Sequence, residues 1–530
     1  MNAPVLLGPD GSTPLRAHVA ASTFHRAAET HSQALANWTP PGASADKAIL
    51  RERRLIADRA EDLARNNPVA VAAITRLVDM IVGAGLRFSS KPSAAALGIS
   101  REAAVDLGKQ IERELARAMN DPRKRIDAQR KVSGNGLYRL MARSYVKLNE
   151  ACVIATWRDN QGPYETAFLP VDPERLSNPT GQRDGELLRG GVVLDALGAP
   201  IAYHIRNRHP GDGFGLTGNS WERVPRETAW GRPVFLHVFE PEREDQNRPI
   251  SPFAAIMPIL RMKNTLSELE LAAAAVNAMY ATYIKSNMSF AEVAASLEPQ
   301  AFTTATDQFG DKRLGFYEAA PVKIGGVRVP VLPPGDEIAM AGSARQSAAM
   351  SDFDDIFNDQ IAAARGMSRH QVSMNFSKLN YSNYRGMMNE TWRGVRRMVG
   401  QFCEHGPIPM AMCVVEEAID KGYIKPPAGC RSFWDEPAAW LSGRWIGPGR
   451  GYVDPTKEAE AAALRMETMV STLEMECAEQ GYDYEEILDQ IEREEAELAR
   501  RNLTRATVTG RILARSAASK PAQTAEEADA

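Results

Sequence analysis

The stretch from Arg365 to Gly386, RGMSRHQVSMNFSKLNYSNYRG, carries Arg365, Arg369, Lys378 and Arg385 with His370, Phe376, Tyr381 and Tyr384 interleaved, and it contains no acidic residue. Such cations can meet phosphate oxygens, while aromatic and amide groups such as Tyr381, Tyr384 and Asn380 touch nucleic-acid backbone or bases without a fixed sequence preference. A basic surface loop packed on acidic neighbours would have the same composition, so both readings stand. Just ahead of it, Asp352, Asp354, Asp355 and Asp359 crowd one helical pattern. Acidic residues on a helix ordinarily face solvent. They gain a further meaning only if that helix lines something.

Other chemistry is poorly supported. The chain has no GxxxxGK[ST] phosphate loop, no HExxH and no GxSxG, so motor or hydrolase activity is not expected. GPGRG at Gly447 to Gly451 lies between a Trp-rich turn and Asp454-Pro455; without a strand before it and a helix after it, it reads as an ordinary loop. His204 falls in a predicted strand and His209 begins a loop, with no ligand spacing around them. Glu494-Glu495 reads as a solvated helix face. The five cysteines, Cys152, Cys403, Cys413, Cys430 and Cys477, form no CxxC pair and read as reduced thiols in a cytoplasmic setting. No metal and no cofactor is implied.

The elements that must position the basic stretch are two long helical patterns. The first runs from Pro252 to about Lys285, with Ile256, Leu260, Leu266, Leu269, Val276, Tyr280 and Tyr283 at three- and four-residue steps. That spacing lays one apolar stripe along a helix, with Ser251 as N-cap, Pro252 in the first turn and Pro258 as an early bend. The second covers about Ser343 to Ala364, with Met350, Phe353, Ile356, Phe357, Ile361 and Ala364 on one side and Gly366 as the stop. Between them, Leu314 to Ile338 holds short β-favouring runs broken by Gly325, Gly326, Pro330, Pro333 and Pro334. Short strands joined by turns are expected there, too few to bury a core without a neighbouring subunit.

Ahead of the first rod the pattern is mixed. Two helices are expected on either side of Asn67-Pro68, further helices at Arg101–Ala118 and Leu137–Val146, a strand at Cys152–Trp157, and a chiefly β region from Phe168 to Phe239 with a hairpin across Leu197-Gly198-Ala199. After the second rod, Asn383 to Phe402 is helical, Asp454-Pro455 caps a helix running to about Glu479, and Asp483 to Arg500 supplies its partner. The first 45 residues and the tail after Arg500 have the composition of poorly ordered segments. With 530 residues, a net charge of −4 and 25% charged residues, the chain reads as a soluble protein of several domains; any contact with nucleic acid must be local. No signal peptide and no apolar run of membrane-spanning length is present, so neither secretion nor membrane insertion is expected.

Several stretches in this order, ARNNPVAVAAITRLVDMIVGAGLRF, VDPERLSNP, GVVLDALGAPIAYHI, RVPRETAWGRPVFLHVFEPEREDQNRPISPFAAIMPIL, NYSNYRG and IGPGRGYVDPTKEAEAA, resemble the lambda-type family of phage portal proteins. The likeness runs from roughly Arg53 to Glu495. It implies an α+β portal-type subunit with a mixed α/β wing, two long stem helices, a small β-containing clip and a helical C-terminal crown. On that mapping 1–45 is an N-terminal arm, 46–251 the wing, 252–286 and 343–365 the stem helices, and 287–342 the clip. The tunnel loop is 366–386, a wing helix and connector 387–455, the crown 456–500, and 501–530 a disordered tail.

The resemblance further implies a ring of about twelve subunits, since head-to-tail contacts close into rings. It stands at one capsid vertex of the virion, after assembly in the host cytoplasm, as the channel for packaging and ejecting double-stranded DNA. The implied partners are the terminase large subunit, the major capsid or scaffold protein, and head-completion or adaptor proteins. No enzymatic activity is implied. Arg369, His370, Lys378, Asn380, Tyr381, Tyr384 and Arg385 become the DNA-contacting tunnel loop, and Asp352, Asp355 and Asp359 the channel-lining acids that keep DNA from sticking. The alternatives are a DNA-packaging enzyme, terminase or nuclease, which lacks its phosphate loop and carboxylate cluster here, and a capsid-associated adaptor or scaffold, against which the β-rich half argues.

Overall fold

A computed structural model describes residues 37–159, 161–212, 220–280, 322–324, 327–329, 347–377, 379–451 and 454–505. The N-terminal arm and the C-terminal tail expected from composition lie outside these residues, as does most of 287–342. Helices and antiparallel strands mix throughout, giving the α+β class.

Helix α1 (Ala45–Asn66) and helix α2 (Pro68–Ile81) meet at Asn67, which ends the first and begins the second. Its side chain accepts a hydrogen bond from the Ala70 amide at 2.9 Å, and Pro68 occupies the first turn, where a missing N–H costs nothing. The α2 pattern is apolar almost all round because Ala70, Ala73, Ile74, Leu77 and Ile81 are buried in the main core. Strand β1 (Arg87–Ser90) and the short helix α3 (Ala94–Leu97) lead into α4 (Arg101–Met119) and α5 (Gly134–Leu148), both N-capped by serines, Ser100 and Ser133.

Strands β2 (Glu150–Trp157) and β3 (Thr166–Val171) form an antiparallel sheet with β8 (Phe235–Phe239) in the order β3-β2-β8. A second sheet is built from β4 (Leu188–Arg189), β5 (Val192–Leu194), β6 (Pro200–Arg206) and β7 (Trp221–Pro225) in sequence order. The β5–β6 hairpin turns where expected: the Asp195 carboxylate accepts from the Leu197 and Ala199 amides, each at 2.8 Å, and Gly198 takes a φ of 86°.

One buried group ties these layers together. Glu150, fully buried at the start of β2, receives Arg248 through two bonds of 2.6 and 3.1 Å, Arg53 at 2.5 Å and the His237 ring at 2.7 Å. Arg53 belongs to α1 and also pairs with Glu174 at 3.2 Å, His237 to β8, and Arg248 to the segment before the first rod. Arg248 spends its remaining donors on the carbonyls of Leu176 (2.7 Å), Pro173 (2.9 Å) and Gly190 (2.5 Å). Burial raises the Glu150 carboxyl, but Arg248, Arg53 and His237 together hold it well below its usual range. Burial keeps the His237 ring below its ordinary value.

The first rod is helix α6 (Met257–Tyr280), shorter than expected. Ser251 to Ile256 forms tight turns instead: the Ser251 hydroxyl accepts from the Phe253 amide at 3.2 Å and donates to the Lys147 carbonyl at 2.7 Å. The helix therefore starts late, and Pro258 sits in its first turn, where proline is tolerated, rather than bending it. Ile256 and Leu260 are buried in the core, whereas Met262, Leu269 and Leu271 are exposed on the single subunit. Residues beyond Tyr280, including Tyr283, lie outside the described set. Strands β9 (Val322–Ile324) and β10 (Val327–Val329) pair antiparallel, with Val327 opposite Ile324. The prolines of that segment are outside the described residues.

Helix α7 (Ser347–Ala364) is the second rod; of its expected apolar side, Ile361 is buried while Phe353 and Ile356 are exposed. A five-residue helix α8 (Arg369–Ser373) follows, then α9 (Tyr381–His405) and α10 (Pro407–Asp420), the latter one full helix where two small ones were expected. Helix α11 (Pro437–Trp440) precedes β11 (Gly443–Ile446), which returns to pair with β1. The helix expected from Thr456 to Glu479 is broken into α12 (Pro455–Glu467) and α13 (Leu473–Glu479). Met469 adopts a φ of 59°, and Thr472 caps the new start by accepting from Met475 N at 3.2 Å. Helix α14 (Tyr484–Arg500) completes the described chain apart from its last turn.

Among the described residues no helix is long and apolar enough to cross a membrane, and none of the five cysteines is in a disulfide. Replacing Glu150 by Ala leaves two buried guanidinium groups uncompensated and is expected to cost on the order of 3–5 kcal/mol; the drop in urea midpoint of the purified chain measures it.

Candidate nucleic-acid interface

The basic stretch is not the open loop that its composition suggests. Helix α7 stops at Gly366 with a φ of 63°, and Ser368 opens α8 through a capping box with Gln371, whose side chain accepts from the Ser368 amide at 2.9 Å. Met374 ends α8 with a φ of 57°. Asn380 caps α9 by accepting from Asn383 N at 2.9 Å, so Tyr381, Tyr384 and Arg385 occupy the first turns of a long helix. The extended part shrinks to Met374–Asn380. The sequence missed this because the Ser and Asn residues that look like loop formers serve as helix caps.

The cations of the stretch differ in availability. Arg365 is buried: it lies 4.8 Å above the Phe253 ring and donates to the Val146 carbonyl at 2.9 Å, and burial lowers its pKa to about 10. It joins α7 to the core and offers nothing to a phosphate, contrary to its place in the sequence pattern. Arg369 sits 3.2 Å from Asp355 and 3.6 Å from Asp359, two acids one helical turn apart on α7. The His370 ring nitrogen Nδ1 meets the Asn375 carbonyl at 2.7 Å. Arg385 and Asn380 are exposed. Lys378 and the Tyr381 side chain lie outside the described residues.

The acidic helix divides its charges. Asp354 pairs with Lys263 of α6 at 2.8 Å, and Lys263 also donates to Asn358 at 2.6 Å, which clamps the two rods together. Asp355 and Asp359 hold Arg369, while Asp352 is exposed one turn earlier on the same face. The acids and the basic stretch thus neutralise one another in part within one subunit.

Two further residues join this surface unannounced by the sequence. Arg450, from the GPGRG segment, bonds Asn389 at 2.9 Å and Glu458 at 3.3 Å and lines one cavity with Tyr384, Arg385 and Met388. GPGRG is the ordinary loop expected, and a Cβ on Gly449 would collide with the Gln480 backbone. The second is Phe376, 42% exposed and edge-on to Tyr384 at 6.1 Å; its place there depends on the α8 turn.

Elsewhere, Glu150, Cys152 and His237 bring one ligand atom each within 4.8 Å of the others. Two guanidinium groups already converge on that carboxylate, which makes the spot repel a cation. Burial pushes the Cys152 thiol well up. This is a structural knot.

A model of the lambda family of phage portal proteins matches residues 31–398. The chain belongs to that family. The portal protein of Escherichia phage N15 is 36% identical over 511 residues, covering 94% of each chain. Portal protein B of Escherichia phage lambda is 35% identical over 506 residues, covering 93% of this chain and 92% of its own. Among solved structures, a chain in the virion of a native gene transfer agent particle covers 80% of this portal and 90% of its own length, at 13% identity and a TM-score of 0.37.

In this portal subunit, replacing Asp355 and Asp359 together by Asn should change the unfolding free energy by no more than about 1 kcal/mol, since both pairs are partly exposed. It should also tighten binding of a DNA duplex at low salt, because Arg369 is released and two like charges vanish. Fluorescence anisotropy with the purified chain reads the change; an unaltered curve counts against a phosphate role for Arg369.

Proposed function

We propose that this portal protein closes into a ring of about twelve subunits at one vertex of the phage head and serves as the channel through which double-stranded DNA enters and leaves. The observation that carries this reading is the family match over residues 31–398. The exposed Met262, Leu269, Leu271, Phe353 and Ile356 of the two rods support it, because a single subunit leaves these apolar side chains uncovered and a neighbouring copy would cover them. In this reading 46–251 with 387–455 is the wing, 252–286 and 343–365 the stem, 287–342 the clip and 456–500 the crown. The terminase large subunit docks on the ring during filling, head-completion proteins follow, and the capsid or scaffold protein surrounds it. The subunit acts as a structural part of the virion and assembles in the host cytoplasm.

Within the channel, residues 366–386 are the segment that meets DNA. Arg369, Lys378, Asn380, Tyr384 and Arg385 supply a few phosphate contacts, and Asp352, Asp355 and Asp359 supply a repelling wall that keeps those contacts brief. Exchange of Arg369 between its aspartates and a passing phosphate costs little, since partly exposed ion pairs are weak.

Mass photometry of the protein made without other phage components should show closed rings of about twelve chains; monomers at every concentration, with no rings in assembled heads, would refute the reading. Replacing Arg369 and Lys378 together by Ala should leave ring formation intact and impair packaging or retention of DNA, scored by the DNA content of filled heads. Normal filling in that variant would make the segment merely structural.

A further inference from the structure

The densest cationic surface among the described residues lies elsewhere, on the connection between α4 and α5. DPRKRIDAQRK, Asp121 to Lys131, holds Arg123, Lys124, Arg125, Arg130 and Lys131, and Arg158 at the end of β2 comes against it by donating to the Ala128 carbonyl. Only three carboxylates accompany these six cations, and none is idle. Asp121 is engaged by Arg125 at 2.8 and 3.0 Å, which lowers its pKa to about 2. Asp127, 2% exposed, accepts from the amides of Gln129, Lys131 and Val132 at 2.9, 2.7 and 3.0 Å. Asp159 accepts from the Gln161 amide at 3.1 Å.

The loop is built, not merely charged. Ala128 N bonds the Phe168 carbonyl at 2.9 Å and Phe168 N bonds the Ile126 carbonyl at 2.8 Å, which stitches the loop to β3. Lys124 and Arg130 are held in the left-handed region, at φ of 57° and 56°. Such conformations cost free energy in non-glycine residues and persist only where the surroundings enforce them. Here Asp127 and the β3 stitching do so. The result is a recess of about 300 Å³ lined by Arg123, Arg125, Arg130, Asp159 and Gln161. The side chains of Arg123 and Lys131 are exposed and have no bonded partner among the described residues.

We propose that this recess is a phosphate-binding site, separate from the 366–386 segment, and that it takes the backbone of double-stranded DNA. Guanidinium forks match phosphate geometry, and a rigid loop binds with little ordering cost. An acidic protein segment is the poorer fit, because stable protein contacts centre on buried apolar or aromatic anchors and no apolar side chain lines this recess. The inference rests on the loop's own geometry and does not depend on the ring or the channel.

The test uses the purified full chain with a short labelled duplex, with inorganic pyrophosphate and with a polyglutamate peptide as separate probes. The variant combines Arg123→Gln, Arg130→Asn and Lys131→Gln; asparagine is chosen at 130 because it tolerates positive φ. Duplex affinity at low salt should fall at least roughly tenfold, and the slope of log K against log salt should flatten by about 2–3, near 0.9 per lost phosphate contact. The charge-keeping pair Arg123→Lys and Lys131→Arg should bind as the parent does. If the triple variant fails to fold, Arg123→Gln alone should still flatten the slope by about one. Loss of pyrophosphate binding with duplex binding unchanged also supports a phosphate site, with a free anion as its source. Unchanged binding of both phosphate probes, or dependence on the loop for polyglutamate alone, overturns the proposal.

Discussion

The subunit depends on one buried carboxylate. Glu150 stands where α1, both sheets and the segment leading to α6 converge, and each of them reaches it through a cation or through a carbonyl on Arg248. Taking these charges out of water is expensive, and a well-packed apolar cluster of the same volume would often be as stable. What the ionic cluster adds is direction. Its bonds fix angles and register at once, because two guanidinium forks and an imidazole accept only a narrow range of positions around two oxygens. The start of α6 is thereby set against the β layers just before the helix leaves the core.

The same chemistry takes other forms along the path from core to surface. Arg365, desolvated over Phe253 with a single described carbonyl bond, anchors the root of α7. Lys263 bridges the two rods through Asp354 and Asn358. Further out, Arg369 is shared by two partly exposed aspartates, and at Arg123 the cation faces solvent. Burial, more than residue type, decides which arginine is a structural member and which is available. A net charge of −4 over 530 residues conceals both extremes.

Local signals in the sequence were enough for much of the fold. Asn67-Pro68 announces its helix boundary through a cap and a missing N–H, and Asp195 with Gly198 announces a hairpin; each rests on residues a few positions apart. The β-rich middle and the two rods were legible from apolar spacing. What stayed hidden was non-local. Nothing near Glu150 in the chain indicates Arg53 or Arg248, and nothing near Arg365 indicates Phe253. The start of α6 was misplaced because Ser251 caps a turn with the same chemistry that caps a helix. The 366–386 segment was read as a loop because its asparagines and serines are equally at home in caps. At the candidate interface the residue types were legible, but their partners were not, and Arg450 comes from a segment that composition had set aside.

The pairing of β1 with β11 joins Arg87–Ser90 to Gly443–Ile446, about 350 residues further on. During synthesis at ~5–20 residues per second, the first strand therefore waits roughly 20–70 s for its partner. Closing so long a loop is slow, because its entropy is spent before the contact forms. Meanwhile both rods, with their uncovered leucines and phenylalanine, have already left the ribosome. Chaperone occupancy of the nascent chain should accordingly peak between synthesis of the second rod and synthesis of β11, and a truncation ending before Gly443 exposes an unpaired edge.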